Sequence, residues 1–148
     1  MKNKIKQVTN VVDADRCDEL LTKLIQDERQ YNDTIDENYI VTNHFNKMLN
    51  DENIIILAYY INKIIVGYIL IRRTDNNTCL LDGLYVEKEY RNKGIGKSLL
   101  TEAILRIKNM NIKYIDINVM YNNIIAKHIY EKLGFVEYEI KMRKSIKL

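Results

Sequence analysis

Apolar residues change period along this chain, and the change marks out its elements. Lys4 to Val12, with Ile5, Val8 and Val11 apolar, reads as a first strand. Asp13 or Asp15 then caps a helix whose inward side is Leu20, Leu21, Leu24 and Ile25. Asp27 to Asn38 is polar and weakly periodic, which predicts a loop with short helical turns. A second helix is expected over about Glu37 to Leu49, with Ile40, Val41, Phe45, Met48 and Leu49 inward. The period then shortens. Asn53 to Tyr60 and Ile64 to Arg73 are β-branched runs joined by Ile61-Asn62-Lys63, a hairpin signal. Asp75-Asn76-Asn77 is the next turn, leading into a strand over Cys79 to Val86.

The C-terminal half continues in the same way. Lys97 to Met110 carries Leu99, Leu100, Ala103, Ile104 and Ile107 on one helical face, and Lys113 to Met120 is a further strand. Asn122 or Asn123 caps a helix through Leu133, ended by Gly134 as its first residue beyond the cap. Phe135 to Lys147 alternates Val136, Tyr138, Ile140 and Met142 against charged residues, predicting a last strand. The order β-α-α-β-β-β-α-β-α-β implies an α/β (α+β) fold, a mixed central sheet with helices on both faces.

Composition adds bounds. The 148 residues fit one domain, 1–148, and 47% hydrophobic with 29% charged residues is an ordinary globular balance. Met1 to Gln7 is basic but no apolar stretch follows, and Ile54 to Ile71 is broken by Asn62, Lys63 and Gly67. Neither a signal peptide nor a membrane span is therefore expected. Cys17 and Cys79 have no metal spacing and suit free core thiols in a reducing, cytoplasmic setting. The net charge of +3 is too small to argue for nucleic acid, but it is unevenly spread. Asp13 to Glu37 is acid-rich, whereas Lys88, Arg91, Lys93, Lys97, Arg106, Lys108 and Lys113 lead a basic half. The first stretch is either a solvated helix face or a surface for a cationic substrate; the second suits an anionic ligand.

The candidate chemistry centres on Arg91-Asn92-Lys93-Gly94-Ile95-Gly96, set between a strand and a helix. That order brings free backbone N–H groups and a positive helix end to one place, where an anion could sit. Two glycines let the main chain approach a ligand closely. Gly96-Lys97-Ser98 imitates the tail of a nucleoside-triphosphatase loop, but that pattern needs glycine where Arg91 stands. The dinucleotide fingerprint needs a third glycine at Leu99. Both fail. What remains is Arg-x-x-Gly-x-Gly introduced by Leu84-Tyr85-Val86. It resembles the acyl-CoA loop of the GNAT superfamily of N-acetyltransferases. Taken alone, an αL turn at a strand–helix junction would also explain it.

A second segment supports the resemblance. Asn123 and Tyr130 are seven residues apart, nearly two helical turns, with the small Ala126 between them on one face. Asn123-x-x-Ala126-x-x-x-Tyr130-x-x-x-Gly134-Phe135 is similar to the superfamily's second coenzyme A segment. An Asn cap and a core Tyr are the alternative for that pattern by itself. The resemblance covers Leu80 to Phe135 closely, the hairpin before it loosely, and the N-terminal third only in element order.

The resemblance implies the GNAT acyl-CoA N-acyltransferase fold, acetyl-CoA as co-substrate and no metal. Gly83 would permit a bulge that parts its strand from a neighbour. Pantetheine would pair along Leu84, Tyr85 and Val86, and the pyrophosphate would lie on Arg91, Asn92, Lys93, Gly94, Ile95, Gly96, Lys97 and Ser98. Asn123 and Ala126 would meet the pantetheine arm, and Tyr130 would serve the thiolate leaving group. A primary amine is mostly protonated at pH 7, a cost of roughly 4–5 kcal/mol that a base must offset. Asp82 is the first candidate, Glu28 the second, and Asp116 lies behind them; His128 and His44 read as surface residues. Acetyl transfer to the primary amine of a small cationic molecule by direct attack is the expected function. A protein lysine or N-terminal acetyltransferase and a non-catalytic acyl-CoA-binding regulatory module are the alternatives. No nucleic-acid or membrane partner is expected, and the last strand's exposed edge is compatible with a homodimer.

Overall fold

The computed structural model describes residues 4–147. It falls into two compact units, residues 1–118 and 119–148.

The first unit is built on a five-stranded sheet in the order β1-β2-β3-β4-β5. Its strands are β1 (Ile5–Gln7), β2 (Ile54–Ile61), β3 (Ile64–Arg73), β4 (Thr78–Val86) and β5 (Tyr114–Ile117). The first four pair antiparallel, and β5 runs parallel to β4. Asn62 and Lys63, at φ 50° and 68°, turn the β2–β3 hairpin as a two-residue loop with both residues left-handed. α1 (Val11–Asp27) buries Ala14, Cys17 and Leu20 in one cluster with Phe45, Ile56, Tyr68 and Leu70. The intervening β3 residues Ile69 and Ile71 point the other way. There α2 (Ile95–Lys108) buries Ile95, Leu99, Leu100, Ala103 and Ile107. A mixed sheet with helices on both faces is thus observed as expected.

Three expectations are corrected. The first strand is shorter and the first helix starts earlier. Its cap is Asn10, whose side chain accepts from the Asp13 N–H at 2.9 Å, in place of Asp13 or Asp15. Val11 and Val12, 53% and 78% exposed, gain nothing from strand pairing, so the cap sets their conformation.

The second helix, Glu37 to Leu49, does not form; only Phe45–Met48 makes a 3₁₀ turn. Side chains of α1 take the backbone groups a helix would have used. The buried Asp18 carboxylate accepts the N–H groups of His44 and Phe45 at 3.2 and 3.0 Å. Thr22 accepts the Val41 N–H, and Gln26 donates to the carbonyls of Asp36 and Tyr39. Local helical periodicity loses to these tertiary bonds.

Within the second unit the last strand, Phe135 to Lys147, does not form, because alternation prepares a strand but a partner must complete it. β5 likewise stops at Ile117 instead of Met120. The second unit holds α3 (Ile124–Lys132), capped by Asn123 Oδ1, which accepts the Ala126 N–H at 3.3 Å. At its end Gly134 N–H donates to the Glu131 carbonyl and Phe135 N–H to that of Tyr130, with Gly134 at φ 95°. This is a Schellman motif, and the Tyr130 and Phe135 rings, 6.1 Å apart, supply its hydrophobic contact.

Candidate active site

The site begins at an irregularity in β4. Tyr68 pairs with Tyr85 and Leu70 with Asp82, so Ile69 alone faces both Gly83 and Leu84. This is the bulge expected at Gly83, whose φ of +72° is open to glycine at little cost. A Cβ there would stand 2.6 Å from the Tyr68 hydroxyl. On its other side β4 pairs with β5 from Thr78↔Tyr114 only as far as Leu81↔Ile117. Beyond the bulge that edge of β4 has no strand beside it among the described residues. Glu87 donates its N–H to Val66 on β3, so the preceding Val86 carbonyl faces away from β3, where Arg91 Nε meets it at 2.8 Å.

The glycine loop follows at once. Gly94, at φ +80°, caps α2, and Asn92 is also left-handed at φ 63°. The first bond of the helix is Ser98 N–H to the Gly94 carbonyl, so the N–H groups of Ile95, Gly96 and Lys97 have no intrahelical acceptor. A Cβ at Gly94 would meet nothing within 4 Å, and one at Gly96 only Val86 at 3.7 Å. The glycines therefore leave the loop open toward solvent. Lys93 and Lys97 are exposed and make no ion pair among the described residues.

Arg91 is engaged within the chain. Besides the Val86 carbonyl it reaches Asp27 at 3.2 Å and lies 5.0 Å from the centre of the Tyr85 ring. It fastens the loop to the end of α1. Asp27 was not singled out from sequence, because an acid in a polar helix end has no pattern of its own.

Candidate bases gather near the bulge. Glu28 opens a 3₁₀ turn after α1, and its carboxyl is raised above its ordinary value by burial and by the charge of Asp82. Asp82 itself is half exposed, with Arg72 at 3.8 Å. Between them in influence is Tyr68, fully buried, whose hydroxyl has no hydrogen-bond partner among the described residues. Burial first, then the charges of Cys17, Asp82, Glu28 and Asp18, keep that phenol protonated. Tyr68 was missed from sequence because it stands inside a continuous apolar run. Its one signal was being the sole residue with a hydroxyl between Ile64 and Ile71.

The remaining acids of the N-terminal segment are mostly spent on the fold. Asp13 accepts from Tyr60, Asp18 from the 3₁₀ turn, Glu19 pairs with Arg16, and Glu37 with Arg29. Glu28, from the same stretch, lies in electrostatic reach of Asp82. Asp116 is exposed on β5 opposite Leu80. Both cysteines are buried and free, and burial pushes the Cys17 thiol up to about 12. No group of metal-ligating side chains occurs among the described residues. Asn123, Ala126 and Tyr130 belong to the second unit, where Asn123 serves as the cap of α3.

A bulged strand with no paired strand beyond the bulge among the described residues, followed by a glycine-capped helix with unused N–H groups, is an arrangement that can take an extended ligand ending in an anion. Residues 18–135 match the model of the acetyltransferase (GNAT) family, and the chain belongs to that family. Over 78 residues it is 35% identical to streptothricin acetyltransferase A of Bacillus subtilis (strain 168), covering 53% of this chain and 45% of that protein. Over 61 residues it is 33% identical to a protein of Bacillus subtilis subsp. natto (strain BEST195) named probable spermine N(1)-acetyltransferase, covering 40% of each. These matches span less than half the length of either relative. In structure it is similar to a mutant form of the BH1408 protein of Bacillus halodurans. The TM-score is 0.81 at 22% identity, over 97% of this chain and 99% of that one.

Proposed function

We propose that this protein transfers an acetyl group from acetyl-CoA to the primary amine of a small cationic molecule, by direct attack with both substrates bound. The observation that carries the proposal is the continuity of the Gly83 bulge, the free β4 edge and the open N-terminus of α2. An extended arm can add to that edge as a strand would, while its anionic end reaches the N–H groups of Lys93 to Lys97. Acetyl-CoA supplies the acyl group already activated as a thioester.

The chain's own residues do the rest. Backbone N–H groups at the bulge, around Leu84, polarise the carbonyl under attack. Glu28, raised by burial and by Asp82, is the favoured base over Asp82: a half-buried carboxyl holds its proton more readily than an exposed one. Together the two carboxylates give an ammonium a reason to bind beside the bulge. The spermine-named relative is consistent with such an acceptor. Tyr130 is the proposed donor to the departing sulfur, with Asn123 and Ala126 beside the arm.

The test is to follow thiol release from acetyl-CoA while screening polyamines, amino sugars and amino acid amines, with acetyl-CoA affinity measured in parallel. Release with a small cationic amine is expected. Binding without release for any amine or peptide would favour a non-catalytic module, and absence of binding would sink the cofactor assignment.

A further inference from the structure

Tyr68 carries a hydroxyl that the fold does not use. The side chain is fully buried, and its ring packs edge-on against Phe45 with centroids 5.4 Å apart. Phenylalanine would fill the same space. The phenol oxygen has no hydrogen-bond partner among the described residues, and a buried donor left unpaired costs stability. The same oxygen closes position 83 to any Cβ, which would stand 2.6 Å from it. Both costs fall at the underside of the bulge.

The surroundings of the hydroxyl name its partner. Tyr68 and Leu70 both join the core against α1, and Asp82 stands opposite Leu70, so the phenol and Asp82 share that face of the sheet. The groups that act on the phenol are Cys17 and Asp18 of α1, Asp82 of β4, and Glu28, which opens the turn after α1. Three of these four are otherwise occupied or unfit. Cys17 is a buried, protonated thiol, Asp18 holds the N–H groups of His44 and Phe45, and Asp82 has Arg72. Glu28 is half-buried, and its carboxylate makes no hydrogen bond or ion pair among the described residues. A donor lacking an acceptor and an acceptor lacking a donor thus lie in reach of each other's charge.

We propose that Tyr68 is a positioning residue for Glu28: its O–H donates to one carboxylate oxygen and holds that base toward the bulge, where the acceptor amine arrives. The inference rests on the amine acetylation proposed above. The phenol keeps its proton throughout, and the proton leaving the amine nitrogen goes to the other Glu28 oxygen. A hydrogen bond to the ionised form favours that form. Tyr68 therefore offsets part of what burial and the Asp82 charge do to Glu28, and keeps it able to accept.

Tyr68→Phe removes the oxygen alone. Its melting temperature should equal or exceed that of wild type, since no bond of the fold is lost, and acetyl-CoA affinity should be unchanged. In that variant kcat should fall about tenfold, and the acid limb of kcat/KM should move up by about one pH unit. Added to Glu28→Gln, the change should lower kcat no further, because both residues act through one group. Titration of the Glu28 carboxyl by NMR, with acetyl-CoA present, should show the same upward move and needs no turnover. A lowered melting temperature would overturn the proposal by showing the hydroxyl bonded within the fold. So would a wild-type rate with an unmoved limb, a further loss in the double variant, or equal Glu28 titrations in the two proteins. If wild type released no thiol with any amine, the acetylation reading would fail, and the Glu28 titration would still decide the role of Tyr68.

Discussion

Glu28 shows how a residue's neighbours give it a task. A glutamate in water titrates near 4.3, far below the pH at which a cellular base would work well. Here burial and the Asp82 charge both favour the protonated form. The sign follows: the folded state holds this proton more tightly than the unfolded chain. Stability is therefore complete below the unfolded value and reduced as pH rises through the folded one. The same shift moves base function toward neutrality. The acid limb of kcat/KM should lie above the ordinary glutamate range and disappear in Glu28→Gln, with kcat down by roughly 10²-fold or more. An unchanged limb in that variant would transfer the role to Asp82. Both carboxylates were nominated from sequence, but their mutual influence was not legible there. Glu28 stands 54 positions before Asp82, and no periodicity links them.

Among elements, the bulged strand and the glycine loop ask different things of their glycines. Gly83 sits at φ +72° with the Tyr68 hydroxyl in the space a Cβ would need, and Tyr68 is too buried to move. Gly83→Ala should destabilise the first unit by about 2 kcal/mol in denaturant titration, from backbone strain and crowding together. Gly96 lacks a positive φ, and its added Cβ would make only ordinary contact with Val86. Gly96→Ala should leave the melting temperature unchanged or slightly raised yet weaken acetyl-CoA binding about tenfold, read by calorimetry. If binding were untouched, the close backbone approach assigned to this loop would be wrong. The loop was legible because strand, glycines and helix are adjacent in sequence. The failed helix over Glu37 to Leu49 was not, since Asp18, Thr22 and Gln26 act on it from as many as 27 residues away.

At the scale of the whole first unit, charges far apart in sequence serve its assembly. Glu87, at the end of β4, receives Lys23 at 2.7 and 2.9 Å and Arg16 at 3.0 Å from α1, while Arg16 Nε also holds the Ile65 carbonyl. Burial alone would raise the Glu87 carboxyl, but hydrogen bonds and charge from Lys23 and Arg16 outweigh it and hold it low. The cluster's contribution is present above the ordinary glutamate value and is lost as pH falls through the depressed one. Glu87→Ala should cost about 2 kcal/mol at neutral pH, and progressively less in acid. An equal loss at every pH would show that packing, not charge, holds α1 to β4. The acidic and basic stretches themselves meet at Asp27, which pairs with Lys88 at 3.8 Å and with Arg91 at 3.2 Å.

The sequence by itself determined the five strands of the sheet, the helix after the glycine loop, the Gly134 end of α3 and the family. Each rests on neighbours in the chain: alternation, capping side chains, glycines at fixed spacing. Tertiary structure decided what required distant partners. It withheld a helix where α1 captures the backbone, and it spent most of the acidic segment on ion pairs and caps. It placed Tyr68 beneath the bulge. Local patterns state what a segment can bury or bond; only the assembled chain supplies, or fails to supply, the group that does so.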